Sequence, residues 1–64
     1  MKITANEKIA VTYIFEGVKE YIITRNTYNG KFVLYKIVNG DYQKLKTADT
    51  PVEFDKIVEK DRSK

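Results

Sequence analysis

Cysteine and histidine are both missing from the 64 residues of this chain. Without cysteine there is no disulfide, thiol nucleophile or thiol redox chemistry, and without histidine there is no Ser-His or Cys-His catalytic pair. The usual zinc and iron sites also need one of these two side chains. The sequence therefore predicts a protein that is not an enzyme and that has no catalytic residues, no metal site and no cofactor.

Glycine and proline are scarce as well, with three glycines and one proline. No G-x-G-x-x-G or P-loop string occurs, so nothing indicates a glycine-rich phosphate cradle. No apolar run approaches the length that spans a bilayer, and we expect no membrane association. Residues 1–7 lack the apolar core of a secretory signal, which favours a cytoplasmic location.

The length of the chain indicates one domain, residues 1–64. A chain this short buries only about 60% of the surface that its unfolded form exposes. Small domains compensate with disulfides, metals or oligomers, and only the last remains here, so we expect a homodimer. The net charge of +3 comes from the first fifty residues and is interpreted mainly as an aid to solubility.

Three segments rich in β-branched and aromatic residues predict strands over Lys8–Glu16, Val18–Arg25 and Lys31–Asn39. A fourth, weaker strand is predicted over Tyr42–Thr47, where lysines suit a sheet edge. Pairs of residues that tolerate positive φ separate the strands and predict type I′ hairpin turns. These pairs are Glu16-Gly17, Asn29-Gly30 and Asn39-Gly40.

A helix is predicted after the strands. Thr50 as N-cap, Pro51 at the first helical position and Glu53 as third residue form a capping box. Phe54, Ile57 and Val58 follow at helical spacing, and the helix should end near Lys60. The predicted fold is α+β, a four-stranded antiparallel β-meander followed by one C-terminal α-helix packed on one face.

Pairing the strands about two-residue turns assigns every side chain to one of two faces. The first face carries Ile9, Val11, Tyr13, Phe15, Val18, Ile22, Val33, Tyr35, Ile37 and Tyr42, with Glu20, Thr24, Lys44 and Lys46 near its margins. The second face carries Ala10, Ile14, Tyr21, Ile23, Phe32, Leu34, Val38 and Leu45, with Arg25 and Lys36. Both faces are apolar, yet the helix has a stripe for only one, and we assign it to the second.

The apolar side chains of the first face must then be shielded from water by something other than the helix. This face could roll into a closed core like a half-barrel, pair with a second copy through its face or a shared edge, or bind a foreign target. We predict a small non-catalytic protein-binding module that acts by occlusion, in the style of the stoichiometric inhibitors or modulators of phages and mobile elements. The predicted partner-binding residues are Tyr13, Phe15, Glu20, Ile22, Tyr35, Ile37 and Tyr42.

Nucleic acid is the alternative partner. In the predicted register Lys44 and Lys46 share a face with Tyr35 and Tyr42. Aromatic rings on a sheet can stack on bases while nearby lysines neutralise phosphates. An RNP-like aromatic-glycine string is missing, so this function ranks below protein binding.

Overall fold

The computed structural model describes residues 6–63 and contains one antiparallel sheet and one helix in this range. The strands are β1 (Glu7–Phe15), β2 (Val18–Asn26), β3 (Phe32–Val38) and β4 (Asp41–Ala48), and the helix is α1 (Phe54–Arg62). The strands lie in the order β1-β2-β3-β4. The predicted meander with one C-terminal helix is confirmed. The expectation about an export signal rests largely on residues 1–5, which lie outside the described residues.

The first and third turns have the predicted geometry. Glu16 and Gly17 have φ values of 53° and 79°, and Asn39 and Gly40 have φ values of 52° and 81°. Two successive residues with positive φ are what a type I′ turn requires. The residue pairs next to these turns are also as predicted. Phe15 pairs with Val18 at the first turn, and Val38 pairs with Asp41 at the third.

The middle turn differs from the predicted two-residue hairpin. Asn26 closes a longer loop, because its side-chain oxygen accepts hydrogen bonds from the backbone N–H groups of Tyr28 (2.8 Å) and Asn29 (3.3 Å). An asparagine that bonds the backbone two residues on creates a turn of its own. Thr24 therefore pairs with Val33 and not with Tyr35. This shift of two residues leaves each side chain on its predicted face.

Register irregularities elsewhere do move side chains between faces. The ladders shift at Ala10 in β1, at Glu20 in β2 and at Leu45 in β4, where one strand holds an extra residue. An extra residue in one strand reverses the alternation beyond it, because side chains alternate with period two. Tyr13 consequently pairs with Tyr21 and not with the predicted Glu20.

The helix begins later than predicted. Its N-cap is Glu53, no side chain caps it, and the predicted capping box of Thr50 and Glu53 is wrong. Instead, the N–H of Phe54 bonds to the carbonyl of Pro51 at 3.0 Å, so residues 51–54 form a turn that carries Phe54 into the core. None of the described helices is long and apolar enough to cross a bilayer.

Two apolar clusters lie on opposite sides of the sheet. We call the side that packs against α1 the helix face; its buried residues are Tyr21, Ile23, Leu34, Phe54 and Val58. We call the other side the distal face; its buried residues are Ile22, Val33 and Tyr35. The assignment of the helix to the second predicted face, which holds Tyr21, Ile23 and Leu34, is confirmed.

Candidate protein-binding surface

The seven predicted partner-binding residues do not share a face. Tyr13 and Phe15 pack against the helix-face cluster, and Glu20 lies 3.6 Å from the Arg62 side chain of α1. Their placement on one face with the other four is therefore wrong, and the cause is the register shift at Glu20. The remaining four lie on the distal face as predicted; they are Ile22, Tyr35, Ile37 and Tyr42.

Two tyrosines on the helix face hold the helix through its carboxylates. The hydroxyl of Tyr13 donates to Asp55, and the hydroxyl of the fully buried Tyr21 donates to Asp61. Lys36 in β3 adds an ion pair to Asp61 at 2.9 Å. A buried tyrosine hydroxyl usually has a hydrogen-bond partner, and here the helix supplies it.

Phe15 is covered by the end of the helix. The guanidinium carbon of Arg62 lies 3.6 Å from the centre of the Phe15 ring, a cation–π contact. Glu20 lies on the same guanidinium group, with 3.6 Å between the nearest oxygen and nitrogen. Phe15 and Glu20 thus form intramolecular contacts with α1 and do not lie on the distal face.

The centre of the distal face is closed by its own polar contacts. The hydroxyl of Tyr35 donates to the carboxylate of Glu7 at 2.7 Å, and the hydroxyl of Thr24 donates to the same oxygen at 2.9 Å. Tyr42 packs edge-on against Tyr35 with the ring centres 6.1 Å apart. Tyr35 is only 1% exposed, so its side chain is not accessible to a partner.

Tyrosine ionisation reflects these contacts. Burial, followed by the hydrogen bond to a carboxylate and the charge of that carboxylate, raises the pKa of Tyr13, Tyr21 and Tyr35 to about 12. All three effects disfavour the phenolate, because a charged oxygen is poorly solvated there, cannot donate the hydrogen bond and is repelled by the adjacent anion. All three hydroxyls therefore stay protonated as hydrogen-bond donors at neutral pH.

The predicted nucleic-acid surface is not assembled. Lys44 pairs with Tyr35 on the distal face, whereas the shift at Leu45 places Lys46 opposite Leu34 on the helix face. The amine of Lys46 lies 4.0 Å from a carboxylate oxygen of Glu53. The predicted placement of Lys46 on one face with Lys44 is therefore wrong. The ring of Tyr35 is buried, so it offers no surface on which a base could stack.

Among the described strands, β1 at the first edge of the sheet has the most exposed large apolar side chains. Ile9, Val11 and Ile14 in β1 are between 43% and 57% exposed, and we call these three residues the β1 strip. Ile9 and Ile14 pair with Thr24 and Lys19, whereas Val11 pairs with Ile23, so the strip projects on both faces of the sheet. Val18 at the start of β2 is exposed as well.

Sequence reasoning missed the β1 strip because it treated β1 as one half of a face. A usable signal is present: seven consecutive uncharged residues, 9–15, in the first strand of a meander, which the topology leaves at an edge. Such edges pair readily with another chain unless charges, proline or a bulge blunt them.

The two edges of the sheet differ in this respect. The opposite edge, β4, carries Lys44 and Lys46 with the register shift between them, which is how natural proteins protect an edge. β1 also has a shift, at Ala10, but its regular part from Val11 to Phe15 carries no charged side chain. The charge pattern therefore protects β4 and leaves β1 as the edge suited to pairing.

A shallow groove of ≈ 290 Å³ lies between β4 and α1 and is lined by Leu45, Ile57, Lys60 and Asp61. Its one carboxylate, Asp61, already binds Tyr21 and Lys36. Over residues 6–63 no group of three or more acidic side chains is arranged to hold a metal ion. This groove therefore adds no chemistry to the surface.

Comparison with known proteins adds no relative. No family model matches the chain. Neither the curated proteins nor the solved structures contain a match to it. The functional argument consequently rests on the geometry of this molecule.

Proposed function

We propose that the protein is a small non-catalytic protein-binding module that accepts an extended polypeptide segment along the β1 edge. One observation carries this proposal: three of the five exposed large apolar side chains of the sheet, Ile9, Val11 and Ile14, lie on one strand, and this strand has a neighbour on one side only among the described residues. Exposed apolar clusters of this kind mark interaction sites.

The mechanism is strand addition. A segment that pairs with β1 gains main-chain hydrogen bonds from the outer side of that strand, while side chains above and below the sheet contact the β1 strip. The Glu16-Gly17 type I′ turn holds β1 against β2 in advance. Little ordering of this protein is needed on binding, which favours affinity.

The proposed surface replaces most of the predicted one. On the distal face, Ile37 and Tyr42 are half-buried and can add to the contact with the bound segment. Ile22 and Tyr35 are buried and pack against these two residues. A module of this size would act stoichiometrically, by occupying a target. Inhibition or modulation of such a target, in the style of phage and mobile-element proteins, stays a prediction from size and missing chemistry.

A matched pair of variants tests the proposal. Val11→Lys places a charge in the β1 strip, and Val52→Lys makes the same change at a side chain that is 76% exposed and lies outside the sheet. Affinity capture with each variant, followed by mass spectrometry, should recover polypeptides that Val11→Lys loses at least tenfold and Val52→Lys retains. Hydrogen exchange should show slower exchange of β1 amides in the complex.

Two results would contradict this function. The first is capture that is unchanged by Val11→Lys while circular dichroism shows both variants folded. The second is retention on random-sequence DNA with a steep salt dependence that falls on Lys44→Ala, which would favour the nucleic-acid alternative.

A further inference from the structure

Two positive charges lie directly opposite each other near the start of the exposed edge. Lys8 in β1 pairs with Arg25 in β2, and Arg25 in turn pairs with Phe32. Phe32 packs against the helix-face cluster, so both cations lie on the helix face. Both side chains are exposed. Like charges directly opposite each other in paired strands are destabilising, so this arrangement costs the free protein stability.

No carboxylate among residues 6–63 forms an ion pair with either cation. Glu7 is next to Lys8 in the chain, but its carboxylate serves the distal face, where it accepts hydrogen bonds from the hydroxyls of Tyr35 (2.7 Å) and Thr24 (2.9 Å). Three other cations of the helix face and α1 do lie within 4.0 Å of a carboxylate oxygen; they are Lys36, Lys46 and Arg62. The start of β1 is thus an unneutralised positive site beside an edge that can accept a strand.

The next side chains along the edge are apolar. The register shift at Ala10 places Val11 on the helix face, where it follows Lys8, and leaves Ile9 on the distal face. Val11 and Ile9 are 43% and 55% exposed. A strand added to β1 therefore meets a positive charge and then an apolar side chain on one face, and an apolar side chain on the other.

We propose that the segment bound on the β1 edge is acidic at one end, with a carboxylate side chain beside Lys8 on the helix face and apolar side chains beside Val11 and Ile9. This inference rests on the proposed function, because it describes the segment that occupies the same edge. The carboxylate offsets the repulsion between Lys8 and Arg25. A basic segment would increase this repulsion, so the same charges also select against wrong partners.

Matched peptides test the charge preference. Each peptide has nine residues, the length of β1, with alternating valine and threonine and blocked ends. One peptide carries two glutamates at one end, and its match carries two glutamines there. Both are made in two versions, substituted at the N-terminal or the C-terminal end, so that either direction of pairing brings the substituted end beside Lys8. In isothermal titration calorimetry at low salt, one glutamate peptide should bind roughly fivefold more tightly than its glutamine match.

A pair of protein variants locates the preference. Lys8→Gln should remove the difference between the glutamate and glutamine peptides. Lys44→Gln takes the same charge from the opposite edge of the sheet and should keep the difference. Urea unfolding should show that Lys8→Gln is no less stable than the original protein, because the variant no longer repels Arg25.

Each outcome decides the inference. A glutamate preference that is missing, or that persists in Lys8→Gln, overturns the acidic segment. The proposed function stands in that case if the glutamine peptides bind and Val11→Lys abolishes their binding. If none of the peptides binds the original protein, strand addition fails together with the inference. Oligothymidylate that displaces the glutamate peptide and loses affinity in Lys8→Gln but not in Val11→Lys would assign the two cations to nucleic acid and overturn the acidic segment.

Discussion

Tyrosine hydroxyls that donate to carboxylates recur on both faces of the sheet. The pairs are Tyr13 with Asp55, Tyr21 with Asp61 and Tyr35 with Glu7. In each pair the residues are at least 28 positions apart in the chain, so the contact joins separate elements. These tyrosines have an apolar body and a polar tip, as residues at binding surfaces often do, but here both parts are used inside the molecule.

At the residue scale, Tyr21→Phe should lower the free energy of unfolding by about 1.5 kcal/mol. The change removes a hydrogen bond to a charged acceptor while keeping the buried ring. Urea unfolding followed by circular dichroism measures the loss. Tyr28→Phe is the matched control, because Tyr28 is 87% exposed, and it should change stability by less than about 0.5 kcal/mol. Equal losses in the two variants would refute a role for the Asp61 contact.

At the scale of elements, α1 is fixed at both ends. Phe54 and Val58 are buried in the helix-face cluster, and Arg62 in the last turn lies over Phe15 in β1. The contact joins the C-terminal helix to the first strand. The helix therefore closes the meander by covering the side chains of both β1 and β2.

Arg62→Ala should destabilise the protein by about 0.5–1 kcal/mol, the value of a partly exposed cation–π contact. Lys60→Ala is the control, because it removes the same charge from the same helix turn and thus has the same effect on the helix dipole. Thermal or urea unfolding should show a smaller loss for Lys60→Ala. If both variants lose the same free energy, the ring contact contributes nothing.

At the scale of the whole molecule, stability should fall in alkaline solution. Tyr13, Tyr21 and Tyr35 have pKa values of about 12 when folded, against 10.0 for an ordinary tyrosine. The folded protein holds these protons more tightly, so their contribution to stability is complete below pH 10 and is lost as the pH rises through about 12. Urea unfolding at a series of pH values, with absorbance of the phenolate, measures both quantities.

The Tyr21→Phe variant serves as the internal control for this pH dependence. It has one fewer of the three shifted groups and should lose less free energy over the same interval. A stability that stays constant from pH 10 to 12 would contradict the link between tyrosine ionisation and folding.

What could be predicted from the sequence was local. Runs rich in β-branched and aromatic residues located the first three strands, a weaker lysine-bearing segment located the fourth, and positive-φ pairs located the Glu16-Gly17 and Asn39-Gly40 turns. These signals depend on residues adjacent in the chain. The start of the helix was placed too early, since a proline and a threonine can form a turn as well as a helix cap.

The distribution of side chains over the two faces of β1 was decided only by the tertiary structure. The shifts at Glu20 and Ala10 leave no mark in the sequence pattern. The first turns Tyr13 and Phe15 toward the helix, and the second places Ile9 and Val11 on opposite faces of the sheet. Each bulge adds a residue that the partner strand does not match, so the face of a side chain depends on how two strands pair and not on the sequence of either strand alone. Composition and local pattern thus determined the fold and the absence of thiol and imidazole chemistry, whereas long-range packing determined which surface is available for binding.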